Sequence, residues 1–147
     1  MEQRGKGGAD ERSQKNRCAG IQRVMNTFRI LYIDDDEANR ELVGFILDRK
    51  RAWTMLEADS GRMGLEKARV DQPDVIILDI SLPDLNGYEV LEQLQADEAT
   101  SSIPVIAMSG KSSAPDIEAG MKKGFAAYLT KPVQIDPLYA AIEKLLD

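Results

Sequence analysis

Phe28-Arg-Ile-Leu-Tyr-Ile33 is a short apolar run rich in β-formers and predicts a buried strand. After an acid cluster, Leu42, Val43, Ile46 and Leu47 recur at helical spacing. Trp53 to Ala58 alternates weakly as a second strand, and Ser60 is placed to cap a helix carrying Met63, Leu65 and Ala68. Val75-Ile-Ile-Leu78 is an apolar run opened by Pro73-Asp74 and closed by Asp79. A turn, Leu82-Pro-Asp-Leu-Asn-Gly87, leads into a helix with Val90, Leu91 and Leu94 inward. Ile103 to Met108 is expected to be the fourth strand, and a helix near Asp116 to Lys123 ends in cations and Gly124. Phe125 to Thr130 is the fifth strand, and Asp136 to Leu146 the closing helix, with Leu138, Ile142 and Leu145 on one face.

Five near-continuous apolar strands alternating with five amphipathic helices predict an α/β domain whose parallel sheet is covered on both faces. Right-handed crossovers make an open, doubly wound five-stranded sheet the natural topology. Neither an internal repeat nor a second domain shows in the pattern. The last helix runs to the final residue, so no effector module is expected to follow it.

Composition narrows the class. The 147 residues suffice for one core, and 43% hydrophobic with 30% charged residues is the balance of a soluble globular protein. No apolar run approaches the roughly 20 residues that cross a bilayer, and the N-terminus lacks the stretch of a secretory signal. One cysteine, Cys18, excludes an intramolecular disulfide framework, and the absence of histidine excludes histidine catalysis and most zinc sites. A cytoplasmic setting is expected. Of the net charge of −6, residues 1–27 hold +3 and residues 28–147 hold −9. The acidic body argues against nonspecific nucleic-acid binding. Residues 1–27 read as a disordered basic tail, with docking to an acidic partner as the alternative and Met25 as an alternative start.

In such sheets the reactive crevice lies beyond the C-terminal ends of the strands. There the chain places Asp34-Asp35-Asp36 after the first strand, Asp79 after the third, Met108-Ser109-Gly110 after the fourth and Thr130-Lys131-Pro132 after the fifth. Two unit charges about 4 Å apart repel by about 4 kcal/mol at an effective dielectric near 20. A hard divalent cation with oxygen ligands relieves this, and Mg²⁺ suits because it needs few carboxylates. The same ion screens an incoming phosphate, and an aspartate can take a phosphoryl group as an acyl phosphate. Asp79, at the end of the central strand, is the candidate nucleophile. Asp36 and Glu37 read instead as helix N-terminal acids, and Lys122 and Lys123 as a match to a helix C-terminus.

Ile33-Asp34-Asp35, Leu78-Asp79 with Pro83 and Gly87, Met108-Ser109-Gly110 and Tyr128-Leu-Thr-Lys131-Pro132 together resemble the response-regulator receiver family of two-component signalling. Each motif alone is weak; four in order at these separations are specific. The resemblance covers residues 28–147 and implies a flavodoxin-like (βα)5 fold, like that of the chemotaxis regulators. It implies Asp79 as phosphoacceptor, with Mg²⁺ (or Mn²⁺) held by Asp35, by Asp79, by the Ser81 carbonyl and, mostly through water, by Asp34. Lys131 would pair with a phosphoryl oxygen, and Ser109 would donate its hydroxyl to another. Tyr128 would then turn inward, reshaping the face of the fourth helix, fifth strand and fifth helix. The Lys131-Pro132 peptide is expected to be cis.

The resemblance also implies a signalling domain rather than an enzyme acting on a separate substrate. Its partners would be a histidine kinase or histidine phosphotransfer protein and a downstream protein effector, with neither nucleic acid nor membrane bound directly. A free-standing regulator or phosphorelay carrier is favoured over the C-terminal receiver of a hybrid histidine kinase. Two readings from other classes stay open. A phosphatase of the haloacid-dehalogenase type would use Asp34 and Asp36, which have its spacing, although Ala38 and the missing late acidic pair argue against it. A flavodoxin-like cofactor carrier would need a phosphate-cradling loop where three acids stand.

Overall fold

A computed structural model describes residues 27–111 and 113–146. The basic segment before Thr27, with Cys18 and Met25, lies outside the described residues. The chain alternates β1 (Phe28–Ile33), α1 (Glu37–Asp48), β2 (Trp53–Ala58), α2 (Gly61–Asp71), β3 (Val75–Asp79), α3 (Gly87–Ala96), β4 (Val105–Ser109), α4 (Ala114–Lys123), β5 (Ala127–Thr130) and α5 (Ile135–Leu146). All pairings are parallel, in the order β2-β1-β3-β4-β5. The doubly wound (βα)5 sheet expected from the pattern is the fold observed.

Because strand side chains alternate, each strand feeds two cores. Ile30, Tyr32, Val75, Ile77, Ile106 and Met108 pack against Val43, Ile46 and Leu47 of α1 and Leu138 and Ile142 of α5. Leu31, Ile33, Ile76, Leu78, Val105 and Ala107 pack against Ala68 of α2, the α3 triad Val90, Leu91 and Leu94, and Phe125. Burial on both faces explains why β3 and β4 are apolar without alternation.

The helix ends follow local chemistry. Asp36 caps α1 by accepting from the Ala38 amide, so it serves as the helix N-terminal acid its position suggests. Ser60 caps α2 through the Met63 amide, and Asn86 with Glu89 closes a reciprocal capping box on α3. Gly124 ends α4 at φ 118°, a left-handed conformation that a side chain would resist.

Two strands begin later than expected, and one apolar helix position faces outward. β4 begins at Val105 rather than Ile103, because Pro104 has no amide to give the ladder and offers only its carbonyl, to the Ile76 amide. β5 begins at Ala127 rather than Phe125: Phe125 is apolar because its ring packs edge-on against Tyr88, 5.8 Å between centroids. Leu42, expected among the inward positions of α1, is exposed, as is Phe45 at 70%.

Candidate functional site

Period-two alternation carries past the strand ends and sorts the polar groups. Asp34 follows Tyr32, Asp79 follows Ile77 and Lys131 follows Leu129 on the α1/α5 side of the sheet. Ser109 and Tyr128 continue the opposite side, above Ala107 and beside α4. β1 and β3 are neighbours, so two acids far apart in sequence meet.

Asp34 is fully buried and Asp79 is 3% exposed. Lys131 Nζ lies 3.3 Å from Asp34 Oδ2 and 3.2 Å from Asp79 Oδ2, bridging the pair. Asp34 Oδ2 also accepts from the Tyr32 hydroxyl at 2.5 Å and from Asn39 Nδ2 at 3.2 Å, while Oδ1 accepts from the Asp36 amide at 3.0 Å. Arg40 donates to the Asp34 carbonyl at 2.8 Å and pairs with Glu57. Asp79 Oδ1 accepts from the Ser81 amide at 3.1 Å. The Lys131-Pro132 peptide is cis.

These partners give the two acids different electrostatics. Burial alone would push the Asp34 carboxyl up, but the Tyr32 hydroxyl, the Asp36 amide and Lys131 together hold it below the ordinary value. Asp79 has fewer donors; burial and the neighbouring Asp34 charge push it up despite Ser81 and Lys131. Burial would lower the Lys131 ammonium, but the charges of Asp79 and Asp34 raise it instead. Burial, and then the bond to Asp34, raises the Tyr32 hydroxyl far above its usual range.

One oxygen each of Asp34, Asp35 and Asp79 lies within 4.8 Å of the others, with Asp35 exposed to solvent. An octahedron with bonds of 2.0–2.1 Å sets ligand oxygens about 3 Å apart at adjacent corners and about 4 Å apart at opposite ones. The cluster has that scale, its donors are hard oxygens, and one ammonium cannot balance three carboxylates. The residues present fit Mg²⁺ or Mn²⁺.

On the other side of the sheet the polar contacts converge on Lys111, in the loop after β4. Ser109 Oγ accepts from the Lys111 amide at 3.0 Å, and the Tyr128 hydroxyl donates to the Lys111 carbonyl at 2.8 Å. Tyr128 is half-buried and its ring lies against Gly120 of α4, where an added Cβ would stand 2.8 Å from Cδ2. Ser81 is exposed beside Asp79.

The family described as the response regulator receiver domain matches residues 30–143. This chain belongs to the response-regulator receiver family. It is 37% identical over 118 residues to Protein PilH of Pseudomonas aeruginosa, a match covering 80% of this chain and 97% of that protein. It is also 32% identical to the probable transcriptional regulatory protein TcrX of Mycobacterium tuberculosis, covering 80% of this chain but 49% of that protein. Thus the chain spans nearly all of one relative and about half of the other. Among solved structures, the chemotaxis response regulator CheY4 of Vibrio cholerae superposes with a TM-score of 0.75 at 23% identity, over 82% of this chain and 99% of that one. A response regulator receiver domain from Clostridium thermocellum gives 0.72 at 29%, over 81% and 94%.

Three residues whose side chains bind Asp34 do not figure among the expected site residues: Tyr32 and Asn39, which reach its carboxylate, and Arg40, which reaches its carbonyl. Tyr32 sits in an apolar strand and passes for core. Its one usable signal is that a buried tyrosine hydroxyl needs a partner, and Asp34 is two residues on, on the same face. No helix among the described residues is long and apolar enough to cross a membrane.

Proposed function

We propose that this receiver domain accepts a phosphoryl group on Asp79 from a phosphohistidine of a histidine kinase or histidine phosphotransfer protein. The observation that carries the reading is the meeting of Asp34, Asp35 and Asp79 within 4.8 Å, with Lys131 Nζ 3.2 Å from Asp79. A carboxylate oxygen of Asp79 attacks phosphorus, the P–N bond breaks, and its electron pair returns to the imidazole nitrogen, which takes up a proton. The product is an acyl phosphate. A Mg²⁺ or Mn²⁺ ion held by Asp35, Asp79, the Ser81 carbonyl and, through water, Asp34 would offset the charge of the arriving phosphoryl oxygens. Lys131 leaves its bridging position to pair with one of these oxygens.

The modified aspartate carries roughly −1.5 to −2 charges and strong acceptor oxygens. Ser109 gives up the Lys111 amide and donates to one of them. Tyr128 releases the Lys111 carbonyl and turns inward, and the face of α4, β5 and α5 changes shape for a downstream protein effector. The domain promotes its own phosphorylation and dephosphorylation and works in the cytoplasm beside its kinase. The match over 97% of PilH supports a free-standing regulator or phosphorelay carrier. A hybrid histidine kinase ending in this receiver is the alternative, and the size of the native protein in a cell extract separates the two.

Intact-mass measurement after incubation with acetyl phosphate and Mg²⁺ tests the reading. Wild type gains one phosphoryl group, EDTA prevents the gain, and Asp79→Asn shows none. Labelling that survives in Asp79→Asn would sink the proposal and favour a nucleophile in the Asp34–Asp36 cluster.

A further inference from the structure

Tyr32 is the bulkiest of the fully buried side chains, set between α1, α5 and the sheet among residues that would pack as well against a phenylalanine. What distinguishes it is where its hydroxyl points: 2.5 Å from Asp34 Oδ2 and 3.8 Å from the Met108 sulfur. Asp34 Oδ2 has two further donors, Asn39 Nδ2 and Lys131 Nζ. Lys131 is shared with Asp79, and it is the group that turns to the phosphoryl oxygen in the reading above. Tyr32 and Asn39 are therefore the side-chain donors to Asp34 that are not shared with Asp79.

We infer that Tyr32, assisted by Asn39, is a positioning residue for the divalent cation: its hydroxyl fixes the orientation in which the Asp34 carboxylate would face the ion, through the water between them, beside Asp35 and Asp79. This deepens the metal-dependent reading and rests on it. The terminal torsion of an aspartate is broad, so packing alone does not set the carboxylate plane. Mg²⁺ demands near-ideal octahedral geometry and tolerates little misalignment. Asp34 is fully buried, so bulk water is poorly placed to replace a lost donor, and the carboxylate would turn toward the donors that remain. Partners of metal-binding side chains typically govern affinity by 10–100-fold.

The test titrates Mg²⁺ into the full chain by calorimetry, for wild type, Tyr32→Phe and Asn39→Ala, beside melting curves in EDTA. Tyr32→Phe removes one oxygen and keeps the ring; Asn39→Ala changes a half-buried position of α1. Expected is a Kd raised about tenfold in Tyr32→Phe and by a smaller factor in Asn39→Ala. The cooperative melting transition is retained in EDTA, and phosphate incorporation recovers at saturating Mg²⁺. A folded Tyr32→Phe protein that binds Mg²⁺ within about twofold of wild type, or more tightly, overturns the inference. If Tyr32→Phe fails to fold, an unchanged Kd in Asn39→Ala overturns it. Wild type that binds Mg²⁺ but takes no phosphate refutes the phosphoacceptor reading and leaves this inference standing; wild type that binds no Mg²⁺ refutes both.

Discussion

The two sides of the sheet hold their polar groups in different ways. On the α1/α5 side, Asp34 and Asp79 are tied to groups from other elements: Asn39 from α1, and Lys131 from beyond β5. On the other side, Ser109 and Tyr128 make their polar contacts with one loop residue, Lys111. The helices match this division. On the acid side α1 buries Val43, Ile46 and Leu47, whereas on the other side α4 buries Gly120 alone among its described residues. Asp34 and Asp79 are buried, whereas the Tyr128 hydroxyl makes its bond at the surface, where water can replace a lost partner at little cost. A site of this kind holds its two buried acids in place on one side and leaves the other free to rearrange.

Packing gives the largest contrast. Ile77, fully buried in β3 on the α1/α5 side beneath Asp79, should cost about 3 kcal/mol on truncation to alanine. Ile117, half-buried on α4, should cost less than about 1 kcal/mol when truncated in the same way. Urea unfolding of both variants checks this, and equal losses would erase the distinction between the two sides.

Asp84 gives the next effect. From the loop after β3 it accepts from the Gly61 amide at 2.9 Å and the Arg62 amide at 3.0 Å, pinning that loop to the start of α2. Its slight burial would raise the carboxyl, but the amides of Gly61, Arg62 and Leu85 outweigh this and lower it. A carboxyl depressed in the folded state stabilises fully above its unfolded pKa, and that contribution fades as pH falls through the folded value. Asp84→Ala should therefore melt a few degrees below wild type at neutral pH, a loss of about 1 kcal/mol. The gap should close in acid. A gap independent of pH would mean that Asp84 acts through packing rather than charge.

Gly120→Ala should change stability least and sharpen the comparison most. Alanine favours the helix by about 1 kcal/mol, but its Cβ would press on the Tyr128 ring at 2.8–2.9 Å. These effects oppose each other. The ring, half-buried on the edge strand β5, is the part expected to yield. Displacement of Tyr128 and loss of its bond to Lys111 should appear in their NMR shifts; unchanged shifts would show that the helix moves instead.

The order and type of all ten elements are legible in the sequence because burial on two faces makes runs of apolar residues, and amphipathic spacing marks the helices between them. What misled was apolarity with another cause. Ile103 packs at the margin of the core without entering the ladder, and Phe125 serves an aromatic contact. Leu42 lies on the helical stripe yet faces outward, because α1 meets the sheet along a narrower band than its apolar residues mark. At the site, Asp34, Asp35, Asp79 and Lys131 are legible because each terminates a strand. Tyr32 is not, because its ring passes for core and only its hydroxyl bears on Asp34, and Asn39 is not, because its partner lies five residues away across a change from strand to helix, where neither simple period applies.

The bridging of two buried acids by Lys131 has a consequence for synthesis on the ribosome. Both aspartates emerge before the lysine that offsets them, since β1 and β3 precede the β5 junction in the chain. A nascent or prematurely terminated chain that closes β1 against β3 buries like charges with no counter-ion from its own sequence. Closing β1 against β3 is therefore expected to cost more before Lys131 is added than after it.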